Sequence, residues 1–251
     1  MRIDGTTALV TGANRGCGRA YVQALLDAGA AKVYAAARRP ETVPFTDARV
    51  QPLALDLTVD ADIAAAAEAA GDVALVIHNA GHCAYQPLMT APALEDARLE
   101  MATNLWGPLA LTRALRPALQ ARGGGCVVTM CSVVAFANMP SIGSLAVSKA
   151  ALHNATQGLR AEMAQIDTQV VGVYPSMVDT DMMAGTEGQK MDPDALAREV
   201  LDAIANDATE VFPGKQAKQI RDNLAKDPKA VERRFAQFTP KARVRVAAAA
   251  Q

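Results

Sequence analysis

The run Thr11-Gly12-Ala13-Asn14-Arg15-Gly16-Cys17-Gly18 has the most definite chemistry in this sequence. Three glycines at that spacing permit a tight turn, a close approach of backbone to a pyrophosphate, and close packing of the following helix on the preceding strand. A β-rich apolar run, Thr7–Thr11, precedes the turn and a helical pattern opens at Arg19 after it, so strand, turn and helix stand in the order a dinucleotide site requires. The helix start then offers free N–H groups and the positive end of its dipole to phosphate oxygens. Charge narrows the cofactor. The second strand ends Ala35-Ala36-Ala37-Arg38-Arg39, with no acid to accept a bond from a ribose 2′-hydroxyl, and Arg15 adds a cation within the turn. Guanidinium groups at Arg15 and Arg38 suit a 2′-phosphate through charge-assisted bidentate bonds, so NADP(H) is expected, with Arg39 read as a solvated surface group.

The elements that must hold this turn are strands at Thr7–Thr11, Lys32–Ala37, Val50–Leu55, Val73–His78, Cys126–Cys131 and Gln169–Tyr174. They alternate with helical patterns at Arg19–Ala28, Ala61–Ala70, Pro92–Gln120 and Leu145–Ile166. Several strands are nearly continuous in apolar residues, as expected where helices cover both faces of a parallel sheet. The fold class expected is α/β: a single-domain, Rossmann-type, doubly wound parallel sheet with helices on both faces, spanning residues 1–251. Gly185–Asp192, rich in glycine and charge, follows the sixth strand, where loops overlie the ligand crevice, and is read as a mobile lid within a substrate-covering region of 184–210. The charged stretch Lys215–Val246 has helical spacing, giving a C-terminal helical tail over 215–251 in which Ala247–Gln251 fray.

Half of the residues are hydrophobic (51%) and 20% are charged, which excludes a disordered or collagen-like chain. A net charge of −1 gives no global electrostatic reason to expect nucleic acid or an anionic membrane as partner. The cysteines Cys17, Cys83, Cys126 and Cys131 form no CxxC pair and have no histidines at ligand spacing, so no metal site is expected and the thiols read as buried groups in a reducing compartment. No apolar segment approaches the ~20 residues that span a bilayer, and no basic-apolar leader pattern opens the chain, so a cytoplasmic location is expected.

The Gly-x3-Gly-x-Gly spacing preceded by Thr11 resembles the short-chain dehydrogenase/reductase family, and further positions agree in order. Asp56-Leu57 after the third strand resembles the acid that contacts adenine and its neighbour. Asn79-Ala80-Gly81 follows the fourth strand, Asn104 precedes Gly107, Ser132 ends the fifth strand, and Lys149 lies in Ser148-Lys149-Ala150-Ala151-Leu152. Tyr174-Pro175-Ser176, with Val178 and Thr180, resembles the family's Pro-Gly…Thr segment. The resemblance spans about residues 5 to 214. It implies cofactor contacts at Gly12, Asn14, Arg15, Gly16, Cys17, Gly18, Arg38, Asp56, Leu57, Asn79, Ala80, Gly81, Lys149, Pro175, Val178 and Thr180. It also implies a homodimer or homotetramer paired through the two long helices.

In such enzymes a tyrosine hydroxyl gives a proton while nicotinamide gives a hydride. The lysine four residues later lowers the tyrosine's pKa and holds the ribose, a serine polarises the carbonyl, and an asparagine anchors a proton-relay water. By that pattern Lys149, Ser132 and Asn104 are the catalytic candidates, but four residues before Lys149 stands Leu145, and the serine-to-tyrosine spacing from Ser132 also ends there. Leucine donates no proton, and loss of a general acid costs about 10²–10⁴ in rate. Three readings follow. Another acid replaces it, with His82 and Tyr85 as candidates ahead of Tyr174; the substrate is an iminium ion or activated alkene that needs no tyrosine; or the protein binds NADP(H) without redox turnover. The first choice is an NADPH-dependent reductase of an uncharged or cationic apolar small molecule. His153 reads as a packing or interface residue, Asp179 and Asp181 as residues that cap or solvate the loop, and Met177, Met182, Met183 and Met191 as an adaptable apolar pocket or as a lid packed on its own body.

Overall fold

The structure, a computed structural model, describes residues 1–240; residues 241–251, which include the end of the expected tail, lie outside it. Seven strands form the sheet: β1 (Thr7–Thr11), β2 (Lys32–Ala37), β3 (Val50–Ala54), β4 (Leu75–His78), β5 (Gly125–Met130), β6 (Thr168–Val173) and β7 (Glu210–Val211). All pair in parallel, in the order β3-β2-β1-β4-β5-β6-β7. The order reverses between β1 and β4, and in open α/β sheets such a switch point is where carboxyl ends of strands leave a crevice for ligand.

Helices α1 (Gly16–Asp27), α2 (Asp60–Ala69), α3 (Glu95–Met101), α4 (Gly107–Ala121), α5 (Gly143–Ala164), α6 (Pro193–Ala205), α7 (Gly214–Lys226) and α8 (Pro228–Ala236) complete the fold. The strands' period of two divides the core. Ala8, Val10, Leu75, Ile77, Cys126 and Val128 pack towards α1 and α6. Leu9, Val76 and Val127 face Ile63, Leu111, Leu115 and Leu119 of α2 and α4 on the other side. A third apolar cluster joins α5 to α7 and α8 through Leu152, Tyr174, Phe212 and Phe235. No helix of the described residues is long and apolar enough to cross a membrane, and no group of three or more His, Cys, Asp or Glu side chains among them could hold a metal ion.

Three expectations change. The pattern across Pro92–Gln120 is not one helix: α3 begins at Glu95, and a π-helical segment, Ala102–Trp106, joins it to α4. Its wider turn accommodates the buried Asn104 side chain. The two-residue β7 is too short to carry a periodic signal and was not expected. The region 184–210 is not all lid, because Asp192 caps α6 by accepting from Ala195 N–H at 3.1 Å, and Leu196, Ala197, Val200 and Ile204 are buried in the core. What lies exposed and outside any helix or strand is 184–189. Its base is tied by Asp179 N–H to Met191 O and Met191 N–H to Met177 O, both 2.9 Å.

At the end of β4, His78 Nε2 lies 2.8 Å from Thr112 Oγ1, whose own proton goes to Pro108 O at 2.8 Å. Nε2 therefore carries the ring proton, and Nδ1 is buried without a partner. Burial holds the imidazole down to about 4, against an ordinary 6.5. The neutral ring's contribution is complete above pH 6.5 and is lost as pH falls towards 4. Urea unfolding at pH 7 and pH 4.5 should show the pH-dependent loss of stability shrink by about 2–3 kcal/mol in His78→Gln; an unchanged loss would remove His78 from the account.

Candidate active site

The glycine turn is built by contact between β1 and the chain leaving β4. Gly12 and Gly16 take φ of +65° and +51°, conformations that side chains disfavour. At Gly18 the constraint is steric: an added Cβ would run into the Gly12 carbonyl oxygen and stand 2.7 Å from Asn79 Nδ2. Asn79 Nδ2 donates to Thr11 O at 2.9 Å and Gly12 O at 3.2 Å, while Thr11 Oγ1 accepts from the N–H groups of Asn79 and Ala80, both at 3.0 Å. The Asn79 amide thus faces the turn itself. Helix α1 starts with no side-chain cap and no acid in its first turn, so its N–H groups and positive dipole end remain open to an anion.

Around this turn, Asn14 Nδ2 donates to Thr42 Oγ1 at 3.1 Å. Arg15 pairs with Asp181 at 3.0 Å, so that acid ties its loop to the turn instead of capping it. Both partners are exposed, and such a pair holds weakly. Arg38 is exposed and has no carboxylate within 4.0 Å among the described residues. Asp56 is held below the ordinary carboxylate range, chiefly by the Thr58 hydroxyl at 2.7 Å. The Leu57 side chain belongs to the core, 2.5 Å from where a Gly107 Cβ would be, so only its backbone is available to a cofactor. Cys17 is likewise a packing residue whose thiol burial pushes up to about 11. Val178 is buried and bridged to Met191, Pro175 O accepts from Ser132 Oγ at 3.3 Å, and Thr180 Cγ2 rests against Gly16.

The candidate catalytic residues lie beyond β4 and β5. Lys149 Nζ donates to Met130 O at 2.6 Å, and burial pulls its pKa below the ordinary lysine range. An added Cβ on Gly81 would stand 3.4 Å from Asn104 Oδ1 and 3.8 Å from Lys149 Nζ, which puts both side chains beside one point above Gly81. Asn104 accepts from His82 N–H at 2.8 Å and donates to His82 O and Ser148 Oγ, each at 2.9 Å. Ser148 escaped the sequence reading. Leu145 is half-buried one turn before Lys149 on α5, while Ser144 Oγ turns to Gln86 O. His82 is half-buried; Tyr85 is exposed at φ +54°, an uncommon conformation for an aromatic residue. Tyr174 is withdrawn from proton transfer here: it is fully buried, with its hydroxyl 2.8 Å from His153 Nδ1, inside a cluster with Phe136 and Phe212.

Comparison with known proteins identifies the family and the fold. A profile of the short chain dehydrogenase family matches residues 6–190. The chain belongs to that family. Its fold is similar to a short chain dehydrogenase from Burkholderia cenocepacia J2315 solved in complex with NADP, at 39% identity and a TM-score of 0.90, covering 94% of this chain and 99% of that one. It is also similar to an uncharacterized oxidoreductase of Staphylococcus aureus, 30% identical over 210 residues, 78% of this chain and 90% of the relative. A sorbitol dehydrogenase of Cereibacter sphaeroides is 30% identical over 207 residues, 79% of this chain and 80% of the relative. This short-chain dehydrogenase is therefore an oxidoreductase whose switch-point crevice suits a nicotinamide dinucleotide.

The packing separates two glycines sharply. Gly18→Ala should lower stability by about 2–3 kcal/mol, because backbone would have to move. Gly158 in α5 has nothing within 4 Å of an added Cβ, and Gly158→Ala should raise stability by about 0.5–1 kcal/mol. Thermal and urea unfolding of the two variants checks both signs.

Proposed function

We propose that this protein is an NADP(H)-dependent reductase that acts on the C=O, C=N or activated C=C bond of a small apolar molecule without a tyrosine acid. The observation that carries the reading is Leu145 one helical turn before Lys149, while the Met130 carbonyl holds Lys149 at the end of β5, Asn104 meets it above Gly81, and Ser132 follows β5. The residues present fit the cofactor: the open N-terminus of α1, the side-chain-free cradle at Gly18 and the unpaired Arg38 match a pyrophosphate and a 2′-phosphate. The NADP bound in the Burkholderia cenocepacia relative supports the same choice.

When bound, the dinucleotide supplies a hydride. Gly12, Gly16 and Gly18 would admit the pyrophosphate, Arg38 and Arg15 would meet the 2′-phosphate, with Asp181 giving up Arg15, and Asp56 with the Leu57 backbone would flank adenine. Lys149 would hold the nicotinamide ribose, and Thr180 would meet the carboxamide. Ser132 Oγ polarises the substrate, and Asn104 holds the chain at His82 and its water in register. Leu145 contributes an apolar wall with no acidic or anionic group, which suits an iminium or enone better than a ketone. Where a proton is needed from the protein, His82 is the better placed of the two candidates, since Asn104 grips its main chain on both sides; Tyr85 is the other. The exposed segment 184–189 would cover the substrate.

Leu94, Leu99, Trp106 and Val147 lie 43–60% exposed on α3, α4's approach and α5. Subunits would pair through α4 and α5 in a homodimer or homotetramer, covering exposed apolar side chains such as these.

NADPH oxidation against ketones, cyclic imines and enones tests the reading. Turnover of imines or enones over ketones is expected, and Leu145→Tyr should raise ketone reduction by about 10²-fold or more. No turnover with any substrate in either protein would instead favour a silent NADP(H)-binding role. In fluorescence titrations Arg38→Leu should weaken NADPH binding about tenfold while leaving NADH nearly unchanged; equal losses for both would overturn the 2′-phosphate assignment.

A further inference from the structure

The chain after β6 reaches back to the glycine turn at two neighbouring residues. Thr180 rests against Gly16, and the next residue, Asp181, accepts from Arg15 Nη1 at 3.0 Å. The loop does not need that bond to hold its shape. Main-chain bonds from Met183 N–H to Thr180 O (2.8 Å) and from Ala184 N–H to Asp181 O (3.1 Å) close the short 3₁₀ turn Asp181–Met183, and Lys190 Nζ donates to Met183 O at 2.7 Å. Among the described residues the Asp181 carboxylate bonds to Arg15 alone. What it adds is a negative charge on the cation of the turn. Enzymes that use NAD place an acid at the end of β2, where it accepts from the ribose 2′-hydroxyl and repels a 2′-phosphate. Here Arg38 and Arg39 follow β2, and the acid comes to the turn from β6 instead.

We propose that Asp181 tunes the preference between NADP(H) and NAD(H) by competing for Arg15: its carboxylate occupies the guanidinium in the free protein, and a 2′-phosphate must displace it to use that charge. This rests on the reading of Arg15 as a 2′-phosphate ligand. NAD(H), which lacks that phosphate, leaves the pair intact, so the carboxylate opposes one cofactor and not the other. The pair gives way because its side chains are 69% and 73% exposed, and an exposed pair holds weakly against a phosphate dianion that can offer the guanidinium two oxygens. Its free energy sets the size of the effect, about two- to fivefold in NADP(H) affinity. Arg38, with no carboxylate within 4.0 Å among the described residues, has no such rival and carries more of the selectivity.

The test is fluorescence titration with NADPH and NADH of Asp181→Asn, which keeps the shape and removes the charge, and of Asp181→Glu, which keeps the charge. Asp181→Asn should bind NADPH about two- to fivefold more tightly than the unaltered protein, with NADH affinity unchanged. Raising salt to about 0.5 M should shrink that ratio, because an exposed pair is screened. Asp181→Glu should stay close to the unaltered protein. Arg15→Leu should weaken NADPH binding, and adding Asp181→Asn to it should change nothing further. An NADPH affinity unchanged or lowered in Asp181→Asn, a gain equal for both cofactors, or a gain that persists beside Arg15→Leu would each overturn the competition. Because titration needs no turnover, the two ideas fail separately: the expected shift in a protein that oxidises no NADPH sinks the reductase reading alone, and NADPH turnover without the shift sinks the role of Asp181 alone.

Discussion

The site depends on how closely the chain leaving β4 approaches the chain leaving β1. Thr11 and Asn79 exchange backbone and side-chain hydrogen bonds across that gap, and Gly18 lets α1 descend on the same point because it has no Cβ. The consequence is a fixed crevice at the switch point, with a helix N-terminus aimed into it. Thr180, arriving after β6, rests on Gly16, so the turn also sets where that loop lies. A single larger side chain at the turn would separate strands that the rest of the sheet holds together.

The chemistry at the other end of the crevice is governed by burial. Lys149 is drawn under the sheet edge by the Met130 carbonyl, Asn104 is drawn inward by the π-helical turn, and both meet above Gly81. Leu145, half-buried one helical turn before Lys149, adds no polar group of its own. Low polarity strengthens every remaining electrostatic interaction and makes an isolated charge harder to hold.

Much of the fold was legible in the residues. Continuous apolar runs such as Thr7–Thr11 and Lys32–Ala37 give buried parallel strands because helices on both faces exclude water from both sides. The glycine turn was legible because its requirement is steric and local. Helix ends shifted by a few residues, and β7 was invisible since two residues carry no period. The break at Ala102–Trp106 was also hidden, because residues that suit an α-helix suit a single π turn equally well.

By itself, the sequence determined the parallel α/β order, the glycine-rich turn between β1 and α1, the absence of an acid at the end of β2 and a leucine, Leu145, one helical turn before Lys149. These are matters of residue type and spacing along one strand or helix. Tertiary structure alone decided that Arg15 pairs with Asp181 while Arg38 has no carboxylate within 4.0 Å among the described residues, that Tyr174 is sealed in an aromatic cluster, that Asn104 grips the chain at His82, and that the buried Glu100 holds Ala84 N–H. Each joins residues that are 16 to 166 positions apart or sets a side chain's exposure to water, and no local pattern encodes which distant partner a side chain will meet.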